Sequence, residues 1–166
     1  MKASTISFEQ AEIAGTVRSV RAHIRDFATI KTAIADCRPE VVIHISAQAL
    51  LRRGYEDPIE SYSTNVMGTV HLLEALRQLR LPCVVVDITS DKCYANREWV
   101  WGYRKDGPMG GPDPCSSSKG CAELAIKAYR ESFFPPKWLD RHGIALASAG
   151  RECNRRRRLK QGPTHS

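Results

Sequence analysis

The chain has 166 residues and 18.6 kDa, with 42% hydrophobic and 26% charged residues, which fits one globular domain and leaves no room for two ordinary ones. No apolar run approaches the roughly 20 residues a membrane span needs, and the opening MKASTISFEQAEIAG lacks an apolar signal-peptide core, so a soluble cytoplasmic protein is expected. The net charge of +7 is uneven: residues 150–166 hold six Lys/Arg against one acid, or +5, leaving +2 elsewhere, so a tail and not a nucleic-acid-binding face carries the basicity.

In chain order, VRSVRAHI (17–24) is a weak candidate strand, and residues 27–37 read as a helix. EVVIHIS (40–46) is a short β-branched apolar run of the kind found in parallel strands covered on both faces. A long helix follows near 58–80, where Val66, Val70 and Leu73 fall at helical spacing. Leu72, Leu76 and Leu79 widen that stripe, as two packing surfaces require. CVVVDITS (83–90) predicts the next buried strand.

Asp113 suits a helix N-cap and Pro114 the first helical position. Cys121, Leu124, Ala125 and Ala128 then predict the apolar face of that helix, and a last strand is possible at 144–148. Strand–helix alternation of this kind predicts a doubly wound parallel α/β sheet, whose chemistry sits at the carboxyl ends of the strands. Here those ends are HISAQ (44–48) and TSDKCY (89–94). The six cysteines, at 37, 83, 93, 115, 121 and 153, form no CxxC pair, so reduced thiols and no metal site are expected.

Taken singly, Asp91–Lys92 could be a surface turn, Asn65 a cap, and Ser116–Ser118 ordinary first-turn residues. Together, HISAQ, YSTNVMGTVHLLEA, ITSDKCYANREWVWGY and PMGGPDPCSSSKGCAEL resemble the extended short-chain dehydrogenase/reductases, the NAD-dependent epimerase/dehydratase superfamily. Within it, TSDKCY followed by NREWVWGYR is similar to the CDP-glucose 4,6-dehydratase family, whose dTDP-glucose counterparts carry Thr-Asp-Glu where this chain has Ser90-Asp91-Lys92. The resemblance spans roughly residues 8–149.

The resemblance implies an internal redox dehydration of CDP-glucose with NAD as cofactor. Hydride leaves sugar C4, water is lost across C5 and C6, and the hydride returns at C6 to give the 4-keto-6-deoxy sugar. By resemblance, Ser90 bonds the C4 oxygen, Asp91 protonates the departing C6 hydroxyl, and Lys92 assists proton removal at C5. Lys119 would bind the nicotinamide ribose and lower the pKa of a tyrosine base four residues earlier. His44, Ser46, Ala47, Gln48 and Asn65 fall where the family approaches the cofactor, and Asp26 is the second acid of its DIRD motif. The physics agrees with these roles. A phenol of pKa about 10 needs adjacent positive charge to act as a base near neutrality. A lysine at i, i+4 on a helix supplies that charge.

Three departures accompany the likeness. No GxxGxxG occurs, so the sheet is expected to lack its first βα unit and main pyrophosphate loop, and His23 stands at the first acid of DIRD. Cys115 occupies the tyrosine position, with a side chain too short to reach where a phenol oxygen would act. After Ser148 the family pattern stops: residues 1–149 are expected to be a partial NAD-binding domain without its C-terminal substrate region, and 150–166 a disordered, out-of-frame tail. Codons GAA TGT AAT CGG CGG CGG CGA for Glu152–Arg158 would, one base later, spell the family's Asn-Val-Ile-Gly-Gly-Gly-Asp. The expected chain is therefore a dehydratase by ancestry with impaired activity. It would be a homodimer through the helices near 58–80 and 114–133. The alternatives are a non-catalytic dimerisation module or another nucleotide-sugar epimerase or dehydratase.

Overall fold

A computed structural model of the chain describes residues 17–97, 99, 104 and 107–149. The basic tail and the first residues of the chain lie outside them. Helix α1 (Phe27–Cys37) starts at Asp26, whose side chain accepts the Thr29 N–H, and ends where Arg38 turns left-handed. It leads to β1 (Val41–His44), then α2 (Leu51–Glu56) and α3 (Pro58–Tyr62), with Asp57 capping the Glu60 N–H. A π-helical turn at Ser63–Met67 joins α3 to α4 (Gly68–Leu79). Strand β2 (Cys83–Ile88), a 3₁₀ turn at Asp91–Cys93, α5 (Pro114–Ser132), a short α6 (Leu139–His142) and β3 (Ile144–Ala149) complete the order. Residues 17–24, expected as a weak strand, form none: among the described residues the segment lacks a paired neighbour to supply ladder hydrogen bonds.

The three strands are parallel in the order β1-β2-β3. Parallel neighbours must be joined by crossovers, and here α2–α4 and α5 provide them. Cys83, Val85 and Ile144 point into the core with Ile34, Leu72, Leu73, Ala75, Leu76 and Ile126. Each fully buried aliphatic side chain contributes roughly 1.5–3 kcal/mol, so Leu73, Leu76, Ile126 and Ile144 anchor the helices on the sheet.

The opposite face departs from expectation. Val41, Ile43, Val84 and Ile88 are 56, 63, 45 and 41% exposed, so among the described residues the sheet is covered on one face only. The apolar runs encode two covered faces, but every helix packed on the described core serves the same one. The buried stripe of α5 is also displaced from the predicted one. It runs through Cys115, Ser118, Ala122 and Ile126, while Leu124 is 53% exposed. Apolar residues occur around most of α5, so hydropathy alone chose the wrong phase.

Candidate active site

At the carboxyl end of β1 the chain is held by one buried side chain. Asn65 Oδ1 accepts the Gln48 N–H at 2.8 Å, and its Nδ2 donates to the Gln48 carbonyl at 3.2 Å. The same Nδ2 lies 2.8 Å from Ser118 Oγ, which donates to the Cys115 carbonyl at 2.8 Å. The π turn makes this possible: its extra residue in one turn brings both Thr64 and Asn65 inward, at 9 and 3% exposure. One turn on, Thr69 Oγ1 donates to the Asn65 carbonyl at 2.8 Å and lies 3.1 Å from His44 Nε2. Burial, with a smaller effect from the Lys119 charge, pushes His44 down to about 4, so the imidazole is neutral at pH 7.

The end of β2 turns sharply. Ser90 Oγ accepts the Lys92 N–H at 3.0 Å, closing a one-turn 3₁₀ helix that displays Asp91 and Lys92 to solvent. Cys93 beneath them is fully buried, and its carbonyl accepts the Gly110 N–H at 2.7 Å. That hydrogen bond docks the 107–110 loop beside α5. A Cβ on Gly120 would lie 2.9 Å from Gly110 N and 3.1 Å from its Cα, so only glycine allows the approach. The Ser90–Cys93 turn is thereby packed against the helix that carries Lys119.

Cys115 is 2% exposed, at the start of α5 under α2 and α3. A Cβ on Gly54 would lie 3.7 Å from the Cys115 Cβ and 3.3 Å from Ser61 Oγ, so the thiol faces packed chain and not an open cleft. Lys119, one turn later, is half-buried. Desolvation lowers its pKa, partly opposed by Cys115.

His44, Gln48, Asn65, Cys115 and Lys119 thus share one corner, with Ser90–Lys92 along the neighbouring strand. Ala47 lies in the loop between His44 and Gln48, and Ser46 lines an apolar cavity of about 310 Å³ at the β1 edge with Ile34, Cys37, Val42 and His44. Asp26 is not drawn into the corner. Both its carboxyl oxygens serve Thr29, from N–H at 3.1 Å and Oγ1 at 2.6 Å, and these bonds lower its pKa. Sequence reasoning missed Thr69 and the linking role of Ser118. The serine stands beside Lys119 in SSSKG, one turn after Cys115, which was the available signal.

The NAD implied by the resemblance can be tested on these residues. Gln48 Oε1 is buried with no hydrogen-bond partner, and Lys119 places a cation at the strand ends. An acceptor without a donor and a partly desolvated ammonium suit the ribose end of a dinucleotide. A pyrophosphate cradle is not found among the described residues.

This is the sheet, strand-end chemistry and lysine-bearing helix of a short-chain dehydrogenase/reductase. The family model for GDP-mannose 4,6 dehydratase matches residues 3–137, and the chain belongs to that family. It is 56% identical over 141 residues to the CDP-glucose 4,6-dehydratase of Salmonella typhimurium, covering 85% of this chain and 39% of that protein. The chain therefore spans about two fifths of the length of that relative. The UDP-glucose 4-epimerase of Thermus thermophilus, solved with NAD, superposes with a TM-score of 0.62 at 27% identity, covering 68% of this chain and 36% of the other. The dTDP-glucose 4,6-dehydratase DesIV of Streptomyces venezuelae, with NAD and TYD bound, gives 0.63 at 22% identity over 70% and 35% and supports the fold alone.

Proposed function

We propose that this chain is part of an NAD-dependent CDP-glucose 4,6-dehydratase of nucleotide-sugar biosynthesis, and that Cys115 leaves it without the base the reaction needs. The observation that carries the reading is the Ser90–Cys93 turn packed on α5 at the carboxyl end of the parallel sheet, beside Lys119. Bound dinucleotide supplies the hydride acceptor and donor. Ser90 holds the sugar C4 oxygen, Asp91 gives its proton to the departing C6 hydroxyl, and Lys92 assists loss of the C5 proton. Lys119 and Gln48 hold the nicotinamide ribose, Asn65 fixes the Gln48 backbone, and His44, Ser46 and Ala47 shape the cofactor side. Asp26 lies outside that corner, where its carboxylate caps α1.

Residues 1–149 act as one partial NAD-binding domain, located in the cytoplasm, and 150–166 as an appended tail. No helix among the described residues is long and apolar enough to cross a membrane. The chain pairs with a second copy through α3–α4 and α5. Exposed Ile59 (81%), Met67 (46%) and Leu124 (53%) on these helices support that pairing.

The test is turnover of CDP-glucose with NAD, followed by the absorbance of the 4-keto product. The expected result is none for this chain. Two longer chains, completed at both ends with the corresponding Salmonella segments, carry either Cys115 or Cys115→Tyr. Turnover is expected only with tyrosine. Equal turnover by both would refute the idea that position 115 silences the enzyme, and no turnover by either would count against the dehydratase reading itself.

A further inference from the structure

Behind the strand ends, facing α5, lies a second polar cluster that the proposed chemistry does not use. Asp87 on β2 is fully buried, and neither of its carboxyl oxygens has a hydrogen-bond partner. Glu123 on α5 is 2% exposed, but its situation is opposite. Glu123 Oε1 accepts hydrogen bonds from Thr89 Oγ1 and, at 2.7 Å, from Ser148 Oγ. The sheet register explains how the groups come together: Asp87 pairs with Ser148 on β3 and with His44 on β1, one polar row across three strands.

Two carboxyl groups buried together cannot both ionise without a large penalty. The hydroxyl donors stabilise negative charge on Glu123, while Asp87, without a donor, is better neutral. We propose that Asp87 and Glu123 form a buried carboxyl pair holding one proton, carried on Asp87, and that its loss loosens the corner where β2, β3 and α5 meet. Burial, then the Glu123 charge, pushes Asp87 from an ordinary 3.8 up to about 7. Because the folded value is raised, the stabilisation is complete below about pH 4 and is lost as pH rises through 7.

Among the described residues, the titratable groups on this side of the sheet include His44 on β1, Glu74 and Arg77 on α4, Cys83 on β2, and Cys115, Lys119 and Tyr129 on α5. α4 presents Thr69, Leu72, Leu73 and Leu76, and β3 presents Ile144, Leu146 and Ser148. His44 acts in the reverse sense. Its value is lowered from 6.5 to about 4, so its stabilisation is present above pH 6.5 and lost as pH falls to 4. The two slopes oppose each other, and the wild-type profile alone hides both.

The experiment therefore compares urea unfolding of the full chain with that of Asp87→Asn between pH 4 and 8. Terms common to both proteins, His44 included, cancel in the ratio of their folding constants. Relative to the variant, wild type is expected to lose about tenfold per pH unit near pH 5–6, and roughly a few hundredfold between pH 4 and 7. A ratio independent of pH overturns the proposal. Carbon-13 titration of the Asp and Glu carboxyls in wild type decides the matter even if the variant does not fold. Asp87 should titrate near neutrality and move lower in Glu123→Gln, and an Asp87 midpoint in the ordinary aspartate range overturns the proposal.

Discussion

Asn65 and Ser118 lie 53 positions apart and are joined by a buried 2.8 Å hydrogen bond that ties the end of β1 to the start of α5. Because Asn65 also holds the Gln48 N–H and carbonyl, its truncation would leave one buried and two half-buried polar groups without that partner. Asn65→Ala is expected to destabilise the chain by about 2–3 kcal/mol, whereas Ser118→Ala, which leaves the Gln48 bonds intact, should cost about 1 kcal/mol. Urea unfolding measures both. Hydrogen exchange at the Gln48 amide separates them, since it should accelerate strongly in the first variant and little in the second.

The close approach of α5 to the 107–110 loop makes a second expectation. In an unconstrained helix interior, glycine to alanine gains roughly 1 kcal/mol. At Gly120 the new methyl would press on the Gly110 backbone, which cannot swing aside as a side chain could. Overpacking of this kind costs about 1–3 kcal/mol and shifts the neighbouring chain. Gly120→Ala should therefore lower the thermal midpoint instead of raising it. A raised midpoint would mean that the loop is not docked on the helix. The shift should also reach Cys93, whose carbonyl the Gly110 N–H engages, and disturb the Ser90–Lys92 turn above it.

Much of this architecture is legible in residue order, for identifiable reasons. Val41–His44 and Cys83–Ile88 are β-branched runs bounded by polar turns, and Asp113–Pro114 is a capping pair whose Asp113 accepts the Ser116 N–H as expected. The positions of Ser90–Lys92 at a strand end and Lys119 one turn after Cys115 follow from the same local rules. Some of the long-range arrangement was not legible. The phase of α5 was misjudged because the helix buries Ser118 and Glu123 and exposes Leu124, an arrangement fixed by polar partners on other elements. The Asp87–Glu123 pair was missed because it depends on the β2–β3 register, which sets Ser148 beside Asp87, and on the packing of α5 that brings Glu123 to Ser148, while CVVVDITS reads as an ordinary strand with one acid near its end.

The packing of α4 on α5 rests on a charged cluster that yields a pH-dependent expectation. Glu74 accepts from Arg77 Nη2 at 2.6 Å and Nε at 2.7 Å, from Gln78 Nε2 at 2.7 Å, and from Tyr129 Oη on α5 at 3.1 Å. Arg77 also lies 5.2 Å from the Phe133 ring centroid, so its guanidinium is held from two sides. The Arg77 hydrogen bond leads the effects that lower Glu74 from 4.5 to about 2, against a smaller cost of burial. A carboxylate so depressed stabilises the fold above pH 4.5, and that stabilisation is lost as pH falls through 2. Full conversion of the shift would give about 3 kcal/mol, but the Arg77 side chain is 41% exposed and solvent screens the pair. A contribution of about 1–2 kcal/mol is expected. Glu74→Gln should therefore be less stable than wild type by that amount at pH 7, with the gap narrowing steadily below pH 4.5. Urea midpoints at pH 7, 4 and 3 make the comparison. A gap unchanged with pH would assign the role of Glu74 to neutral hydrogen bonding with Tyr129 and Gln78 instead of to its charge.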